Sequence, residues 1–254
     1  MILYVYAVTA AAVMPEVEGV DRTTRFGSVE AAGVAAVFSS VSEEEFSQDV
    51  IDRRSGDLEW LGAIGYRHQD VVAALMKQTN LVPLRAFTLF SSEEALRRYL
   101  TENAELLRRI LERLDGRQEW TLRIEFEPQR WSEALVGRVE SLRTLQNEIA
   151  AASAGKAFLL RKKLDDEKKR ASRDAEQQVV AEVERRIMEK LAAETVAESR
   201  ERRDGAFPQI NVLIQRDEES RLQELREELG RAYDSEGITL ALSGPWPPYT
   251  FAHV

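Results

Sequence analysis

Apolar positions first alternate along the chain and then recur at a helical period, and each change of period marks a new element. At the start Ile2, Tyr4 and Tyr6 alternate with Leu3, Val5 and Ala7. A run this rich in β-branched and aromatic residues predicts a buried strand. Pro15 and Gly19 mark a loop, and "TRFGSVEAAGVAAVFSSV" then predicts a hairpin with Gly33 near its turn. Val34, Val37 and Phe38 belong to its second strand. Ser42 ahead of Glu43, Glu44 and Glu45 reads as a helix start, because a hydroxyl cap and early carboxylates satisfy the first amides. From Asp57 to about Thr79, the residues Leu58, Leu61, Ile64, His68, Val71, Val72, Leu75 and Met76 recur at near-helical spacing. "LVPLRAFTLF" is short, apolar and strand-like, with Pro83 confining part of it to an edge or a bulge. "SSEEALRRYLTENAELLRRILERL" predicts one amphipathic helix, capped by Ser91 or Ser92 and buried through Leu96, Leu100, Leu107, Ile110 and Leu114.

Asp115-Gly116 reads as a domain boundary, because a new pattern starts just beyond it. "QEWTLRIEF" alternates cleanly and predicts a strand with Trp120, Leu122, Ile124 and Phe126 on one face. Pro128 ends it and helix follows to about Ala152. From Ala154 to Arg203 the chain is dense in charge and has no proline, and no glycine after Gly155 until Gly205. One long helix is expected there, with Leu164, Val179, Val180, Val183, Ile187 and Leu191 as a narrow apolar stripe. Gly205 and Pro208 then break it, "FPQINVLIQR" is a strand, Glu218 to Tyr233 a helix, and "GITLALSG" a last strand. The fold class is α+β in two domains: an N-terminal α+β domain over 1–116, and a second over 117–243 with its long helix at about 154–203. The β-α-α-β-α-β order of the second half relates it to a ferredoxin-like unit.

Composition removes several functions. The formal net charge of −9 argues against nucleic acid, whose phosphates need a basic surface. The absence of cysteine removes disulfides, thiolate metal sites and a cysteine nucleophile, and fits a reducing compartment. "MILYVYAVTAAAVMP" has no Lys or Arg ahead of its apolar run, so it reads as a strand and not as a signal peptide. No apolar run reaches the ~18 residues of a membrane span, so a soluble, cytoplasmic protein with no membrane partner is expected.

Catalytic chemistry is hard to find. The two histidines, His68 and His253, have no metal-ligand spacing between them, and His68 falls on a helix as a helix-surface or core-edge residue. Gly155-Lys156 is not a phosphate loop: Ala150 stands where the first glycine belongs, and Ala157 stands where Ser or Thr belongs. Neighbouring carboxylates such as Asp165 and Asp166 read as solvated helix faces. No enzyme activity, metal or cofactor is expected. Arg85, inside an apolar strand, would need a carboxylate or carbonyl partner, as a structural ion pair or a contact with another protein. The tail over 244–254 is stiff and aromatic. Gly244-Pro245 should stop the last strand, and Pro247-Pro248 should hold a polyproline II conformation that puts Trp246 and Tyr249 on one side. Trp246, Tyr249 and Phe251 are therefore expected to pack back on the body and bridge the two domains.

"SGPWPPYTF" resembles the terminal signature of the gas vesicle protein GvpL/GvpF family. Other segments agree in order: "LYVYAV", "HQDVVAALM" followed by "LVPLRAFTLF", then "GKAFLLRKK" and "INVLIQR". The chain departs from the expected Arg-Phe-Gly-Thr after Pro-Leu, where it has Arg85-Ala86-Phe87-Thr88. The resemblance implies an N-terminal α+β domain and a modified ferredoxin-like C-terminal domain. It also implies a non-enzymatic accessory protein of gas vesicle formation, associated with the vesicle and contacting the small hydrophobic major shell protein and other accessory proteins, either as an assembly factor or as a minor component. The alternative is a ligand-sensing or enzymatic ferredoxin-like module. The partner-binding or domain-bridging candidates are Arg85, Trp246, Pro247, Pro248, Tyr249 and Phe251.

Overall fold

The structure, a computed structural model, describes residues 2–198 and 207–252; Gly205 and His253 lie outside the described residues. The chain divides into two compact units, Met1–Glu119 with Pro245–Val254, and Trp120–Gly244.

The first unit is built on the strands β1 (Ile2–Thr9), β2 (Gly27–Ala31) and β3 (Val34–Val41). Ala32 and Gly33 join β2 to β3 with φ of 49° and 80°, the two left-handed residues that a tight right-twisted hairpin turn requires. Two short helices follow, α1 (Glu43–Phe46) and α2 (Gln48–Arg54). The hydroxyl of Ser42 makes no side-chain cap bond, so the expected capped start is a four-residue turn whose main anchor is the buried Phe46. Helix α3 (Leu58–Met76) is capped by Asp57, whose carboxylate accepts from the Trp60 amide. Strands β4 (Leu81–Pro83) and β5 (Leu89–Phe90) lie along the same edge of β1, opposite Ala7–Thr9 and Leu3–Tyr4 respectively. The sheet order is β2-β3-β1-β4, with β5 also on β1.

The expected single helix over 91–114 is two: α4 (Glu93–Glu102) and α5 (Ala104–Arg113). Asn103 interrupts it with φ −105° and ψ 7°, and the Tyr99 carbonyl accepts from both its backbone and its side-chain amide. The buried stripe continues across the break through Leu96, Leu100 and Leu107. Helix α3 packs against β1 and β4, α4 against β2 and β3, and α5 against β3 and β4. Residues Leu3 to Thr9 of β1 are accordingly all buried, as a strand covered on both faces must be.

The second unit contains β6 (Arg117–Phe126), α6 (Pro128–Arg138), α7 (Glu140–Ala151), α8 (Ala154–Lys190), β7 (Glu194–Glu198), β8 (Gln209–Gln215), α9 (Glu219–Tyr233) and β9 (Ile238–Trp246). The unit boundaries fall inside β6 and β9. Its sheet order is β7-β8-β6-β9. First and last strands side by side, with the third strand on the other side of the first, is the split β-α-β arrangement of a ferredoxin-like unit. It is modified by three helices where that unit has one. The apolar face of β6 (Trp120, Leu122, Ile124 and Phe126) shares one core with Val179, Val183 and Ile187 of α8 and Leu222, Leu225 and Leu229 of α9.

The long helix is shorter than the expected 154–203. It stops at Lys190, where Leu191 turns to an extended backbone and is buried, and β7 then pairs antiparallel with β8 from Glu194↔Leu213 to Glu198↔Gln209. Nothing in "AAETVAES" breaks a helix by glycine or proline; strand pairing overrides a helical composition. Helix is likewise interrupted between α6 and α7, at the extended Val139.

Candidate functional site

In the N-terminal unit the tail meets a set of buried polar side chains, and these begin with β1. Tyr4 and Tyr6 are both fully buried, so each phenol needs an internal hydrogen-bond partner. The ladder beside them is irregular on both edges. The β1–β3 register shifts between Val5 and Ala7. On the other edge, residues 84–88 bow away between β4 and β5, tied back by the Leu84 amide to the Tyr6 carbonyl and the Val5 amide to the Thr88 carbonyl, both 2.9 Å. Into this gap the Phe87 amide donates to Tyr4 Oη at 3.0 Å. Tyr6 Oη accepts from the Val20 amide and donates to Ser39 Oγ, each at 2.9 Å.

Helix α3 delivers His68 to the same place, since Ile64, Val71, Val72 and Leu75 stand three, four and seven residues from it on the buried face. His68 Nε2 lies 3.0 Å from the Leu84 carbonyl, which only accepts, so Nε2 carries the proton. Nδ1 is then an acceptor, and Tyr4 Oη donates to it at 3.1 Å. The imidazole is held neutral: burial pushes its pKa down to about 4, against a smaller opposing effect of the Leu84 bond. Burial raises the Tyr6 phenol to about 12 and drives Tyr4 well above its ordinary value.

The tail adds three anchors. Tyr249 Oη accepts from His68 Nε2 at 3.1 Å, and burial raises this phenol to about 12. Thr250 donates its amide (3.1 Å) and its hydroxyl (2.7 Å) to the carboxylate of Glu119, which is itself buried. Arg113 donates Nη1–H to the Phe251 carbonyl at 3.3 Å and sets its guanidinium 5.9 Å from the centre of that ring. Phe251, Ala252, Pro247 and Pro248 are buried.

Of the six candidates, the structure brings Pro247, Pro248, Tyr249 and Phe251 into this dock and leaves two outside. Arg85 is exposed in the bowed segment and is not on a buried strand; its carbonyl accepts from the Thr88 amide and hydroxyl. No guanidinium is buried there, so the expectation that Arg85 lies on a mostly buried strand and needs a partner for that reason fails. Trp246 is 44% exposed and ends β9, which runs through Gly244-Pro245 instead of stopping there. An edge strand tolerates a residue with no amide hydrogen, and Gly244 takes the unusual φ of 137°. Nor is the tail a continuous polyproline helix. The Tyr249 amide donates a hydrogen bond to the Pro247 carbonyl and the Phe251 amide one to the Pro248 carbonyl, and these fold it into turns.

Tyr4, Glu119 and Arg113 were missed. The signals for the first two were a phenol inside an apolar strand and a carboxylate immediately before the buried face of β6, both of which demand partners. The arrangement fixes a chain segment in place. Both nitrogens of His68 are engaged by buried groups, which leaves no lone pair facing a substrate. Among the described residues, no group of three or more His, Asp or Glu could hold a metal, and no helix is long and apolar enough to cross a membrane.

Residues 2–253 match the family described as gas vesicle synthesis protein GvpL/GvpF. The chain belongs to the GvpL/GvpF family. It is 32% identical to gas vesicle protein L of Streptomyces sp. (strain CB03234), over 99% of this chain and 92% of that one. With gas vesicle protein L2 of Halobacterium salinarum it shares 28% identity over 98% and 90% of the two chains. The crystal structures of GvpF from Microcystis aeruginosa (TM-score 0.68, 16% identity, 100% and 99% covered) and from Anabaena sp. PCC7120 (TM-score 0.66, 18% identity, 100% and 96% covered) have the same fold. The family role is related to gas vesicles.

Proposed function

We propose that this GvpL/GvpF-family chain is a cytoplasmic, non-enzymatic accessory protein of gas vesicle formation that binds the major shell protein during assembly, together with other accessory proteins. The observation that carries this reading is the family match along essentially the whole chain, tail signature included. A very apolar shell subunit must be kept from aggregating before it joins the wall, and a soluble binder of net charge −9 suits that task. The dock at His68 supports a binding role over catalysis, since its polar groups are spent on holding the tail. Co-expression of this chain with the shell protein and purification under non-denaturing conditions tests the reading. The two should co-purify and the shell protein should stay soluble; shell protein that is equally insoluble with and without this chain overturns it.

A further inference from the structure

The segment "GKAFLLRKK" opens α8, and folding uses little of it. Leu160 and Leu164 supply its core contacts, and Ala157 at the same spacing is buried. Phe158 and Leu159 beside them are 69% and 68% exposed. A neighbouring aromatic and leucine in water on a regular helix are unusual unless something covers them.

The charge of this segment is opposite to that of the chain. Residues 154–173 contain eight Lys or Arg and three Asp or Glu, in a protein of net charge −9. Among the described residues one ion pair falls within it, Arg170 with Glu167 at 3.1 Å. Among the described residues Lys162, Lys163, Lys168 and Lys169 form none, so their charge is available to a partner.

Further along the same helix lies a solvent-open cavity of about 160 Å3. Phe126, Trp131 and Leu135 line its apolar side, with the Phe126 and Trp131 ring centres 4.8 Å apart. Its polar wall is already bonded internally: Trp131 Nε1 donates to Ser172 Oγ at 3.0 Å, and Ser172 donates to the buried Glu176 carboxylate at 2.8 Å. Lys168 and Lys169 also line it. Pockets for free small ligands run to ~300–1,000 Å3, so this one has room for a single apolar side chain. The buried Glu176 keeps a second carboxylate from going deep, whereas the two lysines favour one at the mouth.

These features share one stripe. Phe158, Lys162, Lys169, Ser172 and Glu176 fall at three- and four-residue spacing, counting Asp165 between Lys162 and Lys169. Further on the stripe becomes the core contact of α8, through Val183 and Ile187. Phe158 stands about 16 Å from Lys169 along the axis, at 1.5 Å per residue. That is the span of roughly three helical turns of a partner.

We propose that the N-terminal half of α8 is a docking surface for an acidic, amphipathic segment of a partner protein. One apolar side chain enters the cavity beside Trp131, a second apolar group covers Phe158 and Leu159, and carboxylates pair with Lys162, Lys168 and Lys169. The inference rests on the reading of this chain as a binding protein for gas vesicle components, and says where one of them docks.

The test uses the full chain and two synthetic 15-residue helical peptides with leucines at three- and four-residue spacing, one with glutamates and one with lysines at the remaining positions. Titration calorimetry should give binding to the acidic peptide that weakens with salt, and none to the basic one. Lys168→Glu with Lys169→Glu, and Phe158→Ser with Leu159→Ser, should each weaken it at least tenfold, with unchanged circular dichroism confirming folded protein. Equal binding of both peptides, or no effect of either double substitution, overturns the proposal. So does self-association of the free chain through Phe158 and Leu159, or docking of α8 on phosphatidylserine vesicles with no peptide binding. A parallel arm measures binding of the shell protein to the same variants. Wild type and variants binding it equally refutes this site alone; no binding by wild type refutes the proposed function, while the peptide result still decides the site.

Discussion

The tail and the first half of α8 each carry a phenylalanine in a short apolar run, and the two end in opposite states. In the tail, Phe251 is 3% exposed, its carbonyl is held by Arg113, and Tyr249 and Thr250 are held by His68 and Glu119. On α8, Phe158 is 69% exposed beside lysines that have no ion-pair partner among the described residues. Burying a large apolar side chain contributes roughly 1.5–3 kcal/mol, so a segment that can reach its own body and satisfy its polar groups there will do so. The tail does; the aromatic of α8 faces outward from a helix that cannot fold back. An aromatic in a short apolar run is therefore a latch in the tail and, on the proposal above, a landing surface on α8, and the polar partners decide between them.

The largest effect should come from removing the latch. Deleting residues 247–254 strips Phe251, Tyr249 and two buried prolines from the N-terminal unit and leaves Glu119 and His68 without those bonds. The cost should be about 4–6 kcal/mol from lost burial and unpaired groups, or roughly 10–20 °C in Tm. Calorimetry of the truncated chain checks this, and a shift below about 3 °C would show that the tail is no latch.

Next in size is a pH effect at the same place. The pKa of His68 is lower in the folded chain (about 4) than its ordinary 6.5, so the unfolded chain binds more protons between those values and stability rises with pH. The contribution is complete above about pH 6.5 and is lost as pH falls towards 4. It amounts to about 3 kcal/mol in all, with roughly 2 kcal/mol gone by pH 5. Urea midpoints at pH 7 and pH 5 should show that loss in the wild type and most of it absent in His68→Gln. Equal slopes would mean that the imidazole is not held neutral.

Phe87 offers a smaller and cleaner comparison. It sits at φ 64°, in the left-handed region that favours glycine, and at the position where the family resemblance leads one to expect glycine. Its ring packs 5.4 Å from Trp60 and 6.2 Å from Tyr4, and its amide is bonded to Tyr4. Phe87→Gly and Phe87→Ala both lose the ring, but only glycine relieves the backbone. Phe87→Gly should therefore be the more stable of the two by about 1 kcal/mol; equal midpoints would argue that the turn is unstrained.

What could be read in advance follows from how local each signal is. The alternation in β1 and β6 and the spacing in α3 reflect burial on a single element, and those elements appear where the pattern puts them. Helix α8 stopping at Lys190 could not be read, because β7 exists through its pairing with β8 and "ETVAE" has no local breaker. Asn103 splits a helix at one residue whose local bonding periodicity does not register. At the candidate site the apolar members Pro247, Pro248 and Phe251 were legible as stiff and aromatic. Their polar hosts were not: Glu119 lies 131 positions from Thr250, and His68 181 from Tyr249. Trp246 and Arg85 were misplaced because a strand ran on through a proline and another stopped before an arginine, both decided by neighbouring strands.

The smallest expected effect on stability completes the comparison from the other side. Phe158→Ser with Leu159→Ser replaces two residues that are already mostly in water, on a helix whose core contacts there run through Leu160 and Leu164. Serine lowers helix propensity by a few tenths of a kcal/mol per position, and exposed substitutions generally stay within about 0.5 kcal/mol. The doubly substituted chain should therefore unfold within about 1 kcal/mol of the wild type, in sharp contrast to Phe251→Ser, which should cost about 3 kcal/mol or more by emptying a buried site. Denaturant midpoints for the two variants, taken side by side, measure the difference directly. If the α8 pair destabilises the protein as much as Phe251→Ser does, Phe158 and Leu159 are covered by the chain itself. In that case both aromatic segments are latches, and the contrast drawn between them disappears.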